Sequence, residues 1–226
     1  MKHPLDRPIW TALYTRHAAL AEGNELAKRY PASVSPFAAT GDDEAESLQA
    51  LEAITSPGEK MLLVMADEIA VPPGFVTEMT ADVVQMIADR AFERGADERI
   101  EPLDESDAEE MLALATLTKP GPFSLKALSF GRFWGVKVDG RLIAMAGERM
   151  KQPGYTELSG LCTHPDFQGR GLGRLMLTYV AGEICAQGEQ PYLHAYAANT
   201  KAIALYEAIG FRLRSKMNLA SIVRQG

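Results

Sequence analysis

The sequence contains little cysteine and no long apolar run. Its 226 residues include two cysteines, Cys162 and Cys185, which do not form a CxxC pair. A disulfide framework and a zinc finger are therefore not expected, and a reduced, cytoplasmic setting fits best. No uncharged stretch approaches the roughly 20 residues that cross a bilayer, and the first residues lack the apolar segment of a secretory signal. The four histidines have no metal-ligand spacing, so no metal is expected.

Basic residues are fewer than acidic ones, and the two signs are unevenly distributed. The formal net charge is −7, yet residues 1–112 hold 9 Lys and Arg against 23 Asp and Glu, whereas residues 113–226 hold 14 against 7. The basic residues are scattered among apolar ones and form no stripe, which argues against general nucleic-acid binding. The positive surplus of the C-terminal half could still attract a polyanionic ligand.

The N-terminal part of the chain is predicted to form two helices and then three short strands. A charged stretch with one glycine follows at residues 90–98, and we place a domain boundary there. This predicts an N-terminal accessory domain of residues 1–95 and a second domain of residues 96–226. The predicted N-terminal elements are helices over about 8–30 and 43–55 and strands at 61–65, 75–79 and 83–88.

The second domain alternates strands with helices, which is typical of a mixed α/β fold. Lys119-Pro-Gly-Pro122 ends its first helix, and Asp139-Gly140 is typical of a tight hairpin turn. Its predicted strands are 99–103, 133–138, 141–150, 155–163, 192–197 and 211–222, and its predicted helices are 104–117, 173–187 and 200–209.

A glycine-rich stretch, Gln168-Gly-Arg-Gly-Leu-Gly-Arg174, lies between a predicted strand and a predicted helix. Glycines let the backbone turn tightly and come close to a ligand. The free N–H groups of the first helical turn favour a phosphate or pyrophosphate. The stretch lacks the spacing of a Walker phosphate loop and the placement of a dinucleotide-binding fingerprint. By itself, it also fits a strand-to-helix turn that binds nothing.

Two motifs together resemble the GNAT superfamily of acetyl-CoA-dependent N-acyltransferases. They are the glycine-rich stretch and, about thirty residues later, Asn199 followed by a helix that ends in LYEAIGF. The resemblance covers about residues 99–222. It implies a mixed α/β GNAT fold in which two splayed parallel strands, 155–163 and 192–197, hold coenzyme A between them. It also implies acetyl-CoA as co-substrate, with no metal.

The resemblance further implies which residues contact coenzyme A. Amides of the glycine-rich stretch would hold the pyrophosphate, and the preceding strand would pair with the pantetheine arm. An N–H at a bulge near Leu161 or Cys162 would polarise the thioester carbonyl. Asn199 would cap its helix and touch coenzyme A. The implied contacts are Leu161, Cys162, Thr163, Gln168, Gly169, Arg170, Gly171, Leu172, Gly173, Arg174, Asn199 and Tyr206.

Three residues are candidates for proton transfer, because a neutral amine must attack the thioester and the leaving thiolate needs a proton. Tyr206 lies seven residues after Asn199, where the family usually places its general acid. Glu157, eleven residues before Gln168, is one candidate general base. His194, five residues before Asn199, is the other, and either base could act through water. Each candidate also has a structural explanation: a packed aromatic, a solvated strand carboxylate and a partly buried histidine.

We therefore expect an N-acetyltransferase that moves an acetyl group from acetyl-CoA directly to a primary amine of a small molecule or peptide. Two alternatives remain open: a non-catalytic acyl-CoA-binding regulatory module, and an acyltransferase with a longer acyl donor. The N-terminal part has neither motif, so it should wall off the acceptor cleft without binding coenzyme A, and it could be a degenerate GNAT-like half. No nucleic acid or membrane is expected as a partner, and a monomer and a homodimer are both possible.

Overall fold

The computed structural model describes residues 3–226 and arranges most of them around one eight-stranded mixed sheet. The helices of this part are α1 (Pro8–Tyr14), α2 (Ala45–Ala53), α3 (Ala108–Thr118), α4 (Leu172–Ala186) and α5 (Thr200–Ile209). The strands are β1 (Glu22–Gly23), β2 (Ala27–Arg29), β3 (Ala38–Thr40), β4 (Lys60–Met65), β5 (Phe75–Ala88), β6 (Ile100–Leu103), β7 (Phe133–Val138), β8 (Arg141–Gln152), β9 (Tyr155–Thr163), β10 (Gln190–Tyr196) and β11 (Phe211–Arg224).

The large sheet has the strand order β4-β11-β5-β10-β9-β8-β7-β6. Its neighbours are antiparallel except for β9 and β10, which run parallel. Strands β1, β2 and β3 form a small separate antiparallel sheet. Helix α4 covers β8 and β9 with a buried apolar face, and the mixed α/β fold expected from the sequence is confirmed.

The N-terminal part contributes two strands to the large sheet. Strand β5 lies between β10 and β11, and β4 pairs with the outer side of β11. The predicted boundary near residue 95 falls in the connection between β5 and β6, and the sheet continues across it. The sequence pattern predicts two strands within β5, at 75–79 and 83–88, but the structure has one. The reason is tertiary: β11 is equally long and pairs with β5 through residues 80–82 as well.

The predicted helix over residues 8–30 is wrong beyond its first two turns. Helix α1 ends at Tyr14, and the chain continues through a short 3-10 turn into the hairpin of β1 and β2. Gly23, with φ of 115°, and Asn24, whose side chain accepts hydrogen bonds from Leu26 and Ala27 N–H, build the hairpin turn. The apolar residues have helical spacing here, but the structure is decided by two other interactions. They are the pairing of β2 with β3 and the hydrogen-bonded turn at Gly23 and Asn24.

His17 is a buried polar residue that holds this region together. Its Nδ1 lies 2.9 Å from the Tyr30 hydroxyl, and its ring packs against Phe130. Burial lowers the pKa of His17 from 6.5 to about 4. Because the folded state then holds the neutral ring, the stabilising effect is present above pH 6.5 and is lost as the pH falls towards 4.

We expect wild-type protein to lose about 2 kcal/mol of unfolding free energy through His17 between pH 7 and pH 5. His17→Gln keeps a partner for Tyr30 but cannot be protonated, so its stability should depend less on pH in this range. Urea denaturation of both proteins at the two pH values measures the difference. Equal pH dependence in both proteins would contradict the prediction.

No helix formed by residues 3–226 is long and apolar enough to span a membrane.

Candidate active site

The parallel strands β9 and β10 separate at one end and leave a cleft. They pair only where Gln190–Tyr192 lies beside Tyr155–Glu157. Beyond this point β9 pairs with β8 alone, and β10 pairs with β5 alone. A cavity of about 570 Å³ opens there, and it is bordered by the end of β9, the glycine-rich stretch and α5. We call it the donor cavity.

A β-bulge shapes the wall of the donor cavity. Met145 faces Cys162 and Gly147 faces Ser159, so two residues of β9, Gly160 and Leu161, oppose a single residue of β8. Gly160 has a φ of 65°, and a Cβ there would lie 2.8 Å from the Phe133 ring, so only glycine fits. A bulge leaves backbone groups outside the ladder, and this one includes Leu161, near which the family resemblance implies a bulge.

The glycine-rich stretch places the N-terminus of α4 against the donor cavity. Gly169 and Gly171 have φ values of 75° and 78°, and a Cβ at either position would meet no atom within 4 Å. Glycine is therefore favoured by backbone conformation and not by crowding. Gly171 is the N-cap, and within the described chain no side chain caps α4. The first-turn N–H groups are thus available to a ligand.

All the predicted coenzyme A contacts except Arg170 line the donor cavity. The Arg170 guanidinium stacks on Phe167 at 4.8 Å and donates to the Asp166 carbonyl. The Asn199 side chain caps α5 by accepting a hydrogen bond from Ala202 N–H at 3.2 Å, as predicted from the sequence.

A second cavity, of about 200 Å³, adjoins the donor cavity. The described residues that line both are Lys119, Pro120, Leu161, Asn199 and Tyr206. We call the second one the acceptor cavity. Its far wall comes from the N-terminal part of the chain and consists of Phe37, Leu62, Val64, Met79 and Val83.

Tyr206 lies where the two cavities meet. Burial raises the pKa of its hydroxyl above 10, so the group is protonated at neutral pH. The hydroxyl has no hydrogen-bond partner among residues 3–226, and it is therefore available to a ligand in either cavity.

Glu157 is the centre of a buried polar network and not a solvated carboxylate. It is fully buried, and it accepts hydrogen bonds from Arg149 Nε at 2.8 Å and Arg149 Nη2 at 2.7 Å. Its Oε1 also lies 2.7 Å from His194 Nδ1. Burial alone would raise the pKa of Glu157, but the Arg149 charge and these hydrogen bonds outweigh it and hold the pKa at about 2. At neutral pH the carboxylate is ionised.

His194 lines the acceptor cavity, and its tautomer follows from its neighbours. Gln85 Nε2 donates to the Leu5 carbonyl and lies 2.9 Å from His194 Nε2, while Gln85 Oε1 accepts from Arg214. An amide nitrogen is only a donor, so His194 Nε2 accepts and Nδ1 carries the proton towards Glu157. Both ring nitrogens are thus engaged.

Comparisons with known proteins bear on the family and the fold of this chain. The family model described as FR47-like protein matches residues 135–219. A crystal structure of a putative acetyltransferase from the GNAT family, from Novosphingobium aromaticivorans, is 38% identical, and the alignment covers 100% of both chains with a TM-score of 0.93. The chain belongs to the GNAT family.

Two further similarities have either low sequence identity or low coverage of the chain. A GCN5-related N-acetyltransferase from Kribbella flavida aligns over 100% of this GNAT chain and 97% of its own, with a TM-score of 0.67 and 14% identity, which shows the shared fold alone. The [Ribosomal protein bS18]-alanine N-acetyltransferase of Salmonella typhimurium is 44% identical over 55 residues, or 24% of this chain. That match spans 37% of the relative, so little more than a third of its length is shared.

Three site residues of this GNAT protein were not found by sequence reasoning: Arg149, Gln85 and Lys119. Glu148 and Arg149 are consecutive charges that directly follow an apolar run in β8, and this pattern was the available signal for a buried ion pair. Lys119 has a φ of 53° at the end of α3 and lines both cavities. Gln85 has no comparable signal in the sequence.

Cys162 lines the donor cavity, and its side chain packs into the core behind it. Its side chain is buried in the cluster around Met145 and Phe133. Burial raises the pKa of its thiol to about 11. At neutral pH it is therefore protonated and a weak nucleophile.

Proposed function

We propose that this GNAT protein transfers an acetyl group from acetyl-CoA directly to a primary amine. The observation that supports it best is the meeting of two cavities at Leu161, Asn199 and Tyr206. One cavity is suited to a phosphate-bearing donor, and the other is enclosed by apolar side chains. A thioester at the junction would be open to an amine in the second cavity.

The donor cavity fits coenzyme A in shape and chemistry. The uncapped N-terminus of α4 offers N–H groups and the positive end of the helix dipole to a pyrophosphate. Arg174 adds a positive side chain at the same wall. Past Glu157 no described strand pairs with β9 on the side of β10, so an extended pantetheine arm can bind main-chain groups there.

The transfer needs three contributions from the chain: a hydrogen-bond donor to the carbonyl oxygen, a proton donor to the sulfur and a proton acceptor for the amine. The amine nitrogen bonds to the carbonyl carbon, the carbon–sulfur bond breaks, and the amine loses one proton. An N–H at the Gly160–Leu161 bulge would stabilise negative charge on the carbonyl oxygen. The Tyr206 hydroxyl would give a proton to the departing sulfur, and its raised pKa keeps that proton in place beforehand.

We assign proton uptake from the amine to His194, directly or through water, in preference to Glu157. A buried carboxylate with a pKa of about 2 is a very weak base at neutral pH. His194 lines the acceptor cavity, and Glu157 at 2.7 Å would stabilise the charged imidazole. Uptake at Nε2 requires its hydrogen bond with Gln85 to open.

His194→Gln should lower kcat/KM by about 100-fold and remove the acidic limb of its pH profile. Glu157→Gln should also lower kcat/KM, since it frees Arg149 and the imidazole, but it should keep the limb. Profiles between pH 5.5 and 9 on variants shown to be folded by circular dichroism measure this. If Glu157→Gln loses the limb and His194→Gln keeps it, the assignment is wrong.

Release of free thiol from acetyl-CoA in the presence of a panel of primary amines tests the function. We expect thiol and acetylated amine in equal amounts, and no acetylated protein when the amine is omitted. Coenzyme A binding without turnover of any amine would favour a regulatory module. Faster turnover of propionyl-CoA or succinyl-CoA would favour a longer donor.

A further inference from the structure

The acceptor cavity has a charge pattern that selects among amines. The described residues that line it include Lys119 and Arg149 but no Asp or Glu. Most of the remaining wall is apolar. A polycationic acceptor would meet like charge and no carboxylate, so this cavity is poorly suited to it.

Arg149 has one nitrogen that the protein itself does not use. Nε and Nη2 form a bidentate ion pair with Glu157, whereas Nη1 has no hydrogen-bond partner among residues 3–226. The guanidinium stacks on Phe37 with 5.0 Å between its central carbon and the ring centre. This stacking fixes the plane and leaves the Nη1 edge open.

The open edge points towards the loop at the mouth of the acceptor cavity. A Cβ placed on Gly121 would lie 4.0 Å from Arg149 Nη1, and Gly121 and Lys119 line the same cavity. Lys119 forms no ion pair with any described residue. Glu157 neutralises the Arg149 charge, whereas no described carboxylate neutralises the Lys119 charge. An unused N–H edge and an ammonium without an ion pair, both from the lining of one cavity, are suited to an anionic group.

We propose that the acceptor is a hydrophobic amino acid whose carboxylate is held by Arg149 Nη1 and Lys119. This rests on the proposed acetyl transfer at the same site. Lys119 lines both cavities, but Arg149 lines the acceptor cavity and not the donor cavity, so the free Arg149 edge assigns the carboxylate to the acceptor and not to coenzyme A. Phe37, Leu62 and Val64 would enclose the apolar side chain. The amine, next to the carboxylate, would face the junction at Tyr206.

Three matched amines test the proposal: leucine, leucinamide and 3-methylbutylamine, each assayed by thiol release at saturating acetyl-CoA. All three have the same isobutyl group on the carbon that bears the amine. On that carbon leucine also has a carboxylate, leucinamide has a neutral amide, and 3-methylbutylamine has only hydrogen. We expect kcat/KM to be at least about tenfold higher for leucine. Leucinamide has the most easily deprotonated amine, so an enzyme indifferent to the carboxylate would prefer it.

Two variants locate the carboxylate. Arg149→Lys keeps a positive charge for Glu157 but loses the free edge, and Lys119→Asn removes a charge with a residue that tolerates positive φ. Each should raise KM for leucine about tenfold more than it raises KM for 3-methylbutylamine, because only leucine loses a carboxylate contact. Arg132→Lys is the matched control, since Arg132 pairs with Glu148 and lines neither cavity. It should change neither constant.

A binding measurement separates this inference from the proposed activity. In calorimetry, N-acetylleucine should bind more tightly than N-acetylleucinamide, and Arg149→Lys should abolish the difference. If this holds but no amine is acetylated, the carboxylate site at Arg149 stands and the acetyl transfer is wrong. Equal binding of the two overturns the inference. Equal turnover of the three amines, or preference for spermidine or a leucine-initiated peptide, also overturns it and leaves the acetyl transfer intact.

Discussion

Gly171→Asp should abolish measurable acetyl-CoA binding and leave the protein folded. Gly171 is the N-cap of α4 at the donor cavity, and a Cβ there would meet no atom within 4 Å. Its φ of 78° is a conformation that aspartate tolerates better than most residues. The new carboxylate would cap the first-turn N–H groups and repel the pyrophosphate. Both effects remove the anion site without disturbing the core.

Isothermal calorimetry measures this, with one coenzyme A per wild-type chain as the expected reference. Gly154→Asp is the matched control, because Gly154 has a φ of 80° and equally open surroundings but lies in the β8–β9 turn outside both cavities. It should bind coenzyme A normally. Unchanged affinity in folded Gly171→Asp would refute the pyrophosphate site. Two coenzyme A molecules per wild-type chain would indicate a second site in the N-terminal part.

Tyr206→Phe should lower kcat by about 10- to 1000-fold and leave acetyl-CoA affinity nearly unchanged. The substitution keeps the ring that packs beside the α4 cluster and deletes only the hydroxyl. Because that hydroxyl has no partner within residues 3–226, its loss leaves no buried group unpaired. A fall in rate would therefore report the missing proton donor and not a weakened fold.

Steady-state kinetics and calorimetry on the same preparation separate the two effects. Tyr179→Phe is the control: Tyr179 packs on Trp134 and lines neither cavity. A kcat for Tyr206→Phe within twofold of wild type would rule out the proton-donor role. A large loss of acetyl-CoA affinity would instead make Tyr206 a binding residue.

The local elements of the second half were predictable because short-range physics decides them. Asp139 and Gly140 have φ values of 52° and 79°, as a tight hairpin turn requires, and the strands on both sides were expected. Asn199 caps α5 through its own side chain, and positive φ at Gly169 and Gly171 favours glycine. Each of these depends on a few consecutive residues, so it is legible in the sequence.

Burial and pairing between distant segments are decided only by the tertiary structure. Glu157 alternates with its neighbours as a surface carboxylate would, yet Arg149 and His194 enclose it and change its chemistry. Gln85, 109 residues from His194, sets the histidine tautomer through pairing of β5 with β10. The same pairing carries N-terminal apolar residues into the acceptor cavity. These properties depend on which groups lose contact with water and on what then replaces it, and no local pattern contains that information.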